Sequence, residues 1–227
     1  MKAQRSRGLE SSALFFDRID AGARLAERLG KYHGKDVLVL GIPRGGVPVA
    51  AEVARRLGAD LDVVVARKLG APGYGELAIG AVTANGGRFL NEDIIRELRV
   101  PDDYLKAVVE REMTEARRRE ERFRAGRPVA RVQDRTVIVV DDGLATGATM
   151  RAAVRSVRCQ HPREVVVAVP VGSPQACDAL RQEADEVVCL YAPTFFTAVG
   201  LHYEHFEPVD DVRVREILKE AFASTPR

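Results

Sequence analysis

Five short runs of apolar, mostly β-branched residues punctuate the chain, at 37–40, 63–65, 137–140, 165–169 and 187–190. None alternates apolar with polar positions. That is the pattern of strands covered on both faces, so each run suits the middle of a parallel sheet. Helical spacing fills the intervals 47–57, 149–158 and 174–183, the last with Ser173 as an N-cap and Pro174 in its first turn. Strand and helix in alternation predict an α/β layered fold with right-handed crossovers.

Two stretches break the alternation. Between 79–82 and 88–90 the residues Ala84-Asn85-Gly86-Gly87 have turn chemistry and predict a hairpin. Residues 104–124 then read as one long charged helix whose apolar positions (Leu105, Val108, Val109, Met113, Phe123) form at most a narrow stripe. Its Arg117, Arg118 and Arg119 interleave with Glu112, Glu115, Glu120 and Glu121 at pairing distances. A solvated, ion-paired face is the expectation there, with an RNA or partner surface as the alternative.

Composition narrows the function classes. The 227 residues are 46% hydrophobic and 30% charged, as in ordinary globular proteins, which excludes disorder. With 35 Lys and Arg against 33 Asp and Glu, the net charge of +2 is too balanced for a surface built throughout to attract nucleic acid. Any anion site must be local. Cys159, Cys177 and Cys189 form no C-x-x-C pair and read as buried small residues in a reducing compartment. The polar, basic N-terminus (1–10) lacks an apolar export segment, and the expectation is a cytoplasmic protein that spans no membrane.

Candidate chemistry concentrates in Val137-Ile138-Val139-Val140-Asp141-Asp142-Gly143-Leu144-Ala145-Thr146-Gly147-Ala148-Thr149, a buried strand running into two acids, a small-residue turn and a helix. This order aims backbone N–H groups and the positive end of a helix at one point, where a phosphate fits. Two carboxylates beside a phosphate must face something else, and sugar hydroxyls or a divalent cation satisfy them. Read singly, Asp142 starts a turn, Thr146 caps a helix and the glycines fit a bend.

Read together, these thirteen residues resemble the phosphoribosyl pyrophosphate (PRPP) signature of the type I phosphoribosyltransferases. The first strand leads into Gly41-Ile42-Pro43-Arg44-Gly45-Gly46, similar to that family's pyrophosphate loop. The second leads into Arg67-Lys68 and a Gly- and Pro-rich stretch to Glu76, which looks like the start of its flexible catalytic loop. The resemblance covers about 35–190 and implies a twisted parallel sheet flanked by helices in a single domain (1–227). It implies an inserted hairpin plus long helix at about 78–125, and a small hood at about 191–210.

The activity implied is transfer of ribose 5-phosphate from PRPP to a nitrogen acceptor with release of pyrophosphate, in nucleotide salvage. By the same resemblance, Asp141 and Asp142 hold the ribose hydroxyls and, directly or through water, Mg2+. Gly143, Leu144, Ala145, Thr146, Gly147 and Thr149 are implied for the 5′-phosphate. Arg44, Gly45 and Gly46 are implied for pyrophosphate, joined by Arg67 and Lys68, which with the two acids make the catalytic set. A cis peptide between Pro43 and Arg44 is also implied.

Phe195, Phe196 and Tyr203 of the hood offer faces for a base, or simply pack the C-terminal segment. Ala145 stands where the 6-oxopurine branch carries an acid, which argues against hypoxanthine or guanine and makes adenine the first candidate, with other nitrogen acceptors open. A catalytically silent PRPP-binding regulator, with RNA as a partner, is the alternative; a homodimer is left open. His202 and His205, three apart, lack a third ligand for zinc.

Overall fold

The computed structural model describes residues 13–224; the expectation drawn from the N-terminal stretch 1–10 lies outside them. Helix α1 (Arg18–Arg28) begins at Asp17, whose carboxylate accepts from the N–H groups of Ile19 and Asp20. The chain then enters β1 (Val37–Gly41), buried throughout, and returns through α2 (Gly46–Leu57) to β2 (Asp60–Val63). An excursion follows: β3 (Ala66–Ala71), β4 (Tyr74–Thr83), β5 (Arg88–Leu90), α3 (Glu92–Glu97) and α4 (Asp102–Arg124). The layered alternation resumes with β6 (Thr136–Val140), α5 (Ala148–Arg158), β7 (Glu164–Val171), α6 (Pro174–Leu180) and β8 (Glu186–Tyr191), and α7 (Asp211–Ser224) follows.

The main sheet has the order β2-β1-β6-β7-β8 with every pairing parallel, which is the expected helix-flanked parallel sheet. Its two faces explain why the strands do not alternate. Leu38, Val137, Val139 and Val167 pack beneath Met150, Val154 and Leu180 of α5 and α6. Val39, Ile138, Val140 and Val166 pack on the opposite side against Leu25, Val49 and Val53 of α1 and α2. Alternate residues thus feed two separate cores, and both must be apolar.

Several expectations need correction. The run 63–65 is not a central strand: β2 occupies Asp60–Val63 at the sheet edge, and Val64 and Val65 are buried in the turn beyond it. Their backbones are anchored by Val64 N donating to Gly41 O at 3.2 Å and Val65 N to Glu120 Oε1 at 3.0 Å. Burial under neighbouring elements, rather than strand pairing, made that run apolar. β8 is the other edge; its residues from Glu186 to Leu190 are only half-buried and Tyr191 is exposed. Helix α6 stops at Leu180 instead of continuing to 183, where Glu183 is held by Arg151 and Arg155 of α5. Of the cysteines only Cys177 is buried; Cys159 is exposed at the outer end of α5 and Cys189 lies on the edge strand.

The excursion starts earlier than the expected hairpin, because the Gly- and Pro-rich stretch from Ala66 onward forms β3 and the beginning of β4 in a three-stranded antiparallel sheet. Leu69, Ala71, Ile79 and Val82 bury one face of that sheet against Val108 and its neighbours on α4. The expected solvated helix therefore packs on several sides. Val108, Ala116 and Phe123 are buried, and so are Glu112 and Arg124. Arg118 and Arg119 do pair with Glu115 at the surface, as expected.

Arg124 ties the excursion to the main sheet. Its Nε donates to both oxygens of Asp62 at 2.9 and 3.1 Å, Nη1 to Glu120 Oε2 at 2.9 Å and Nη2 to Val63 O at 3.0 Å. Asp62 also accepts from the backbone N–H groups of Val63 and Ala130. Both side chains are about nine-tenths buried, so removing one leaves the other desolvated without its counter-charge. Arg124→Met should lower unfolding free energy by about 3–5 kcal/mol in urea titration; a loss below about 1 kcal/mol would show that the network does not hold the excursion in place.

Candidate active site

Strands β1 and β6 are neighbours, with Gly41 opposite Val140, so the segments that follow them leave the sheet side by side at its carboxyl edge. Open α/β sheets bind ligands at this edge. Ile42 N donates to Val140 O at 2.9 Å, and the loop from Ile42 to Gly46 then folds over the start of the acid pair. The contact is close enough to require glycine. A Cβ on Gly45 would stand 1.9 Å from Asp142 Oδ2, and one on Gly46 would stand 2.8 Å from Asp141 Cα and Val140 O. The Pro43–Arg44 peptide is cis, as the resemblance implied. Arg44 itself is exposed, its Nη1 3.8 Å from Asp211 Oδ1 at the start of α7.

The two acids differ in their surroundings. Asp141 Oδ1 accepts from Asp142 N at 2.9 Å. Asp142 Oδ2 accepts from Arg18 Nε at 2.9 Å, while Arg18 Nη1 donates to Glu207 O and its guanidinium lies 3.9 Å above the Phe206 ring. Burial pushes both carboxyls above the ordinary Asp range; the Asp142 charge adds to this for Asp141, and Arg18 opposes it for Asp142. Helix α1 supplies that counter-charge, and the hood segment holds it in place through Glu207 O and the Phe206 ring.

Beyond the acids the chain is strapped from beneath. Leu144 is buried; its N–H donates to Val171 O at 2.9 Å and its carbonyl accepts from Ser173 N at 2.8 Å. Ser173 Oγ donates to Ala145 O at 2.7 Å. Ala145 and Thr146 remain exposed, Thr149 is half-buried, and Gly147 caps α5 in the left-handed region at φ +79°. Among the described residues no side chain caps this helix start, whose first-turn N–H groups have no intrahelical acceptors. The result is an upward-facing nest of donors beside two carboxylates and the Arg44 loop, suited to a phosphorylated, hydroxyl-bearing molecule.

Not every expected residue joins it. Arg67 and Lys68 lie in the paired strand β3 rather than in an open loop. Arg67 Nε and Nη2 donate to Glu112 Oε2 at 2.9 and 2.7 Å, and Lys68 is exposed. Tyr203 offers no face to a base: it is buried against Phe15, and its hydroxyl donates to Asp142 O at 2.6 Å. Phe196 stacks on His202 with ring centroids 5.5 Å apart and packs on the same cluster, whereas Phe195 is 92% exposed.

Sequence patterns did not reveal Arg18, Glu112, Ser173 as a strap, or Val199, whose methyls occupy the space that a Cβ on Gly143 would need. Ser173 left a signal only as an N-cap, and Glu112 only as a partner for the arginines of its own helix. Among the described residues no group of three or more His, Cys, Asp or Glu is placed to hold a metal ion, His202 and His205 included, and no helix is long and apolar enough to cross a membrane.

Residues 16–204 match the phosphoribosyl transferase domain family. The chain is 47% identical, over 92% of its length, to two curated relatives: Putative phosphoribosyl transferase MT0597 of Mycobacterium tuberculosis (strain CDC 1551 / Oshkosh) and Putative phosphoribosyl transferase Rv0571c of Mycobacterium tuberculosis (strain ATCC 25618 / H37Rv). It spans about half the length of these relatives, 47% of each. The crystal structure of TT1426 from Thermus thermophilus is 50% identical, covers 91% of this chain and 98% of its own, and superposes with a TM-score of 0.77. With the family match extending from α1 through the acid pair to the hood, the chain belongs to the phosphoribosyl transferase domain family, among the type I phosphoribosyltransferases.

Proposed function

We propose that this chain transfers the ribose 5-phosphate group of PRPP to a nitrogen acceptor, releasing pyrophosphate. The observation that carries the reading is the interlock of the two loops at the ends of β1 and β6, where Gly45 and Gly46 lie directly against Asp142 and Asp141. PRPP has three parts to hold, and the edge offers three neighbouring environments. The segment from Gly143 to Thr149 receives the 5′-phosphate on backbone N–H groups and the Thr146 and Thr149 hydroxyls. Asp141 and Asp142 accept from the ribose hydroxyls. Arg44, Gly45 and Gly46 receive the pyrophosphate.

The reaction breaks the bond between ribose C1 and pyrophosphate and forms one from C1 to the acceptor nitrogen, whose proton is released. Charge becomes positive on the ribose and negative on the departing group. The chain's contribution is positioning and electrostatics: carboxylates under the ribose, a guanidinium and backbone N–H groups at the pyrophosphate. Two adjacent carboxylate oxygens also suit Mg2+, which prefers to keep water and phosphate oxygens in its shell. Asp141 and Asp142 would hold that ion, which supplies charge neutralisation at pyrophosphate when bound.

A second reading, a catalytically silent PRPP-binding regulator, draws support from two ion pairs. Arg18 engages Asp142, and Glu112 engages the Arg67 that the transfer reaction needs at pyrophosphate. In the transferase reading, PRPP displaces the first pair and closure of the β3–β4 hairpin breaks the second.

Titration calorimetry of PRPP with Mg2+ against Asp141→Asn/Asp142→Asn should show affinity falling about tenfold or more, since charged hydrogen bonds are worth roughly 1.5–3 kcal/mol each. Unchanged affinity in a folded double variant would contradict the assignment of the acid pair. Pyrophosphate release across a panel of bases separates the two readings. The expected outcome is turnover with adenine or another nitrogen acceptor and none with hypoxanthine or guanine, since Ala145 offers no acid to a 6-oxopurine. Binding without turnover on any acceptor would favour the regulator.

A further inference from the structure

Directly behind the phosphate nest two thiols meet. Cys177 lies in α6 and Cys189 in β8, and both sulfurs approach Gly172: a Cβ on Gly172 would stand 2.9 Å from Cys177 Sγ and 3.5 Å from Cys189 Sγ. Cys189 Sγ donates to Tyr191 O at 3.1 Å. Gly172 belongs to the strap beneath the nest. Its N–H donates to Tyr191 O at 3.0 Å, it bridges to Leu144, and the next residue, Ser173, carries both bonds to the Leu144 and Ala145 carbonyls. Nothing in the transfer reaction uses either cysteine.

We propose that Cys177 and Cys189 form a dithiol modification site, which a peroxide converts to a disulfide, and that closing this bond loosens the phosphate nest. The pairing divides the labour between the thiols. The neighbouring Cys189 thiol and the Arg181 charge bring the Cys177 thiol down to about 7 against the opposing effect of burial, and the proton stays on Cys189. Cys177 is thus the nucleophile and Cys189 the resolving group.

The Cys177 thiolate attacks one oxygen of hydrogen peroxide; the O–O bond breaks, hydroxide leaves and a sulfenic acid remains. The Cys189 sulfur then attacks that sulfur, the S–O bond breaks and water departs. The protein has lost two electrons and two protons, and one peroxide has become two waters. Cys189 is half-exposed on the edge strand, which gives a small oxidant a way in, whereas Cys177 itself is 1% exposed. An S–S bond of about 2.05 Å is far shorter than a contact between thiols, so its formation draws α6 and β8 together beside Gly172 and displaces the strap.

The effect on the nest rests on the proposed PRPP reading, whereas the modification site does not, and the experiment separates them. Purified protein is treated with one equivalent of hydrogen peroxide, remaining thiols are alkylated, and non-reducing peptide mass spectrometry follows. The expected product is a linked peptide pair containing Cys177 and Cys189, with exposed Cys159 still alkylated. Preferential oxidation of Cys159, a disulfide involving it, or an unlinked Cys177 would overturn the proposal.

Calorimetry with PRPP and Mg2+ on reduced and oxidised protein is the second arm. Displacement of the strap with its two Ser173 bonds should weaken binding about tenfold or more, reversibly with dithiothreitol. Cys177→Ser and Cys189→Ser should each remove the sensitivity. Equal affinity of the two forms would overturn the coupling. A reduced protein that does not bind PRPP would instead overturn the proposed function, and the presence or absence of the linked peptide would still decide the dithiol site.

Discussion

The candidate site depends on the adjacency of β1 and β6. Two parallel neighbours end at the same edge, and the segments that follow them must share the space above it. They do so only because Gly45 and Gly46 carry no side chain where Asp141 and Asp142 stand. Parallel pairing is itself a consequence of apolar residues on both faces of each strand, which require helices above and below. From two-sided burial follow crossover connections, and from these a ligand-facing edge built of glycine loop, acid pair and helix start.

Around that edge the chain is held by charges placed far away in sequence. Arg18 crosses from α1 to Asp142, Glu112 from α4 to Arg67, and Arg124 from the end of α4 to Asp62. Each charge is wholly or largely shielded from water, so each is costly to leave unpaired. The hood is fixed on the core by Tyr203 donating to Asp142 O and by Val199 packing against Gly143. Arg44 remains the exposed cation of the edge, joined only loosely to Asp211 at 3.8 Å.

Much of this was legible from the chain. The strands at 37–40, 137–140 and 165–169 and the helices that follow them are sustained patterns, and the run of two acids into Thr-Gly-x-Thr carries its own chemistry. The turn at Ala84–Gly87 also declares itself through its glycines. What was not legible depends on partners remote in sequence. Val64 and Val65 look like strand because burial and pairing favour the same residues. Ala66–Ala71 looks like loop because its glycine and the following Pro72-Gly73 mask an alternation of Leu69 and Ala71. Tyr203 looks like a free aromatic, since only the folded chain sets Phe15 and the Asp142 carbonyl beside it. Arg18 gave no signal: its partner lies 124 residues away.

The central claim is that one PRPP molecule spans the three environments of this edge, and a crystal structure of the protein soaked with PRPP and Mg2+ tests it most directly. The predicted result is the 5′-phosphate on the backbone N–H groups between Ala145 and Thr149, the ribose hydroxyls on Asp141 and Asp142 with Arg18 released from Asp142, and pyrophosphate against Arg44 to Gly46. PRPP bound elsewhere, or bound here with Arg18 still on Asp142 and no hydroxyl within reach of either carboxylate, would contradict it.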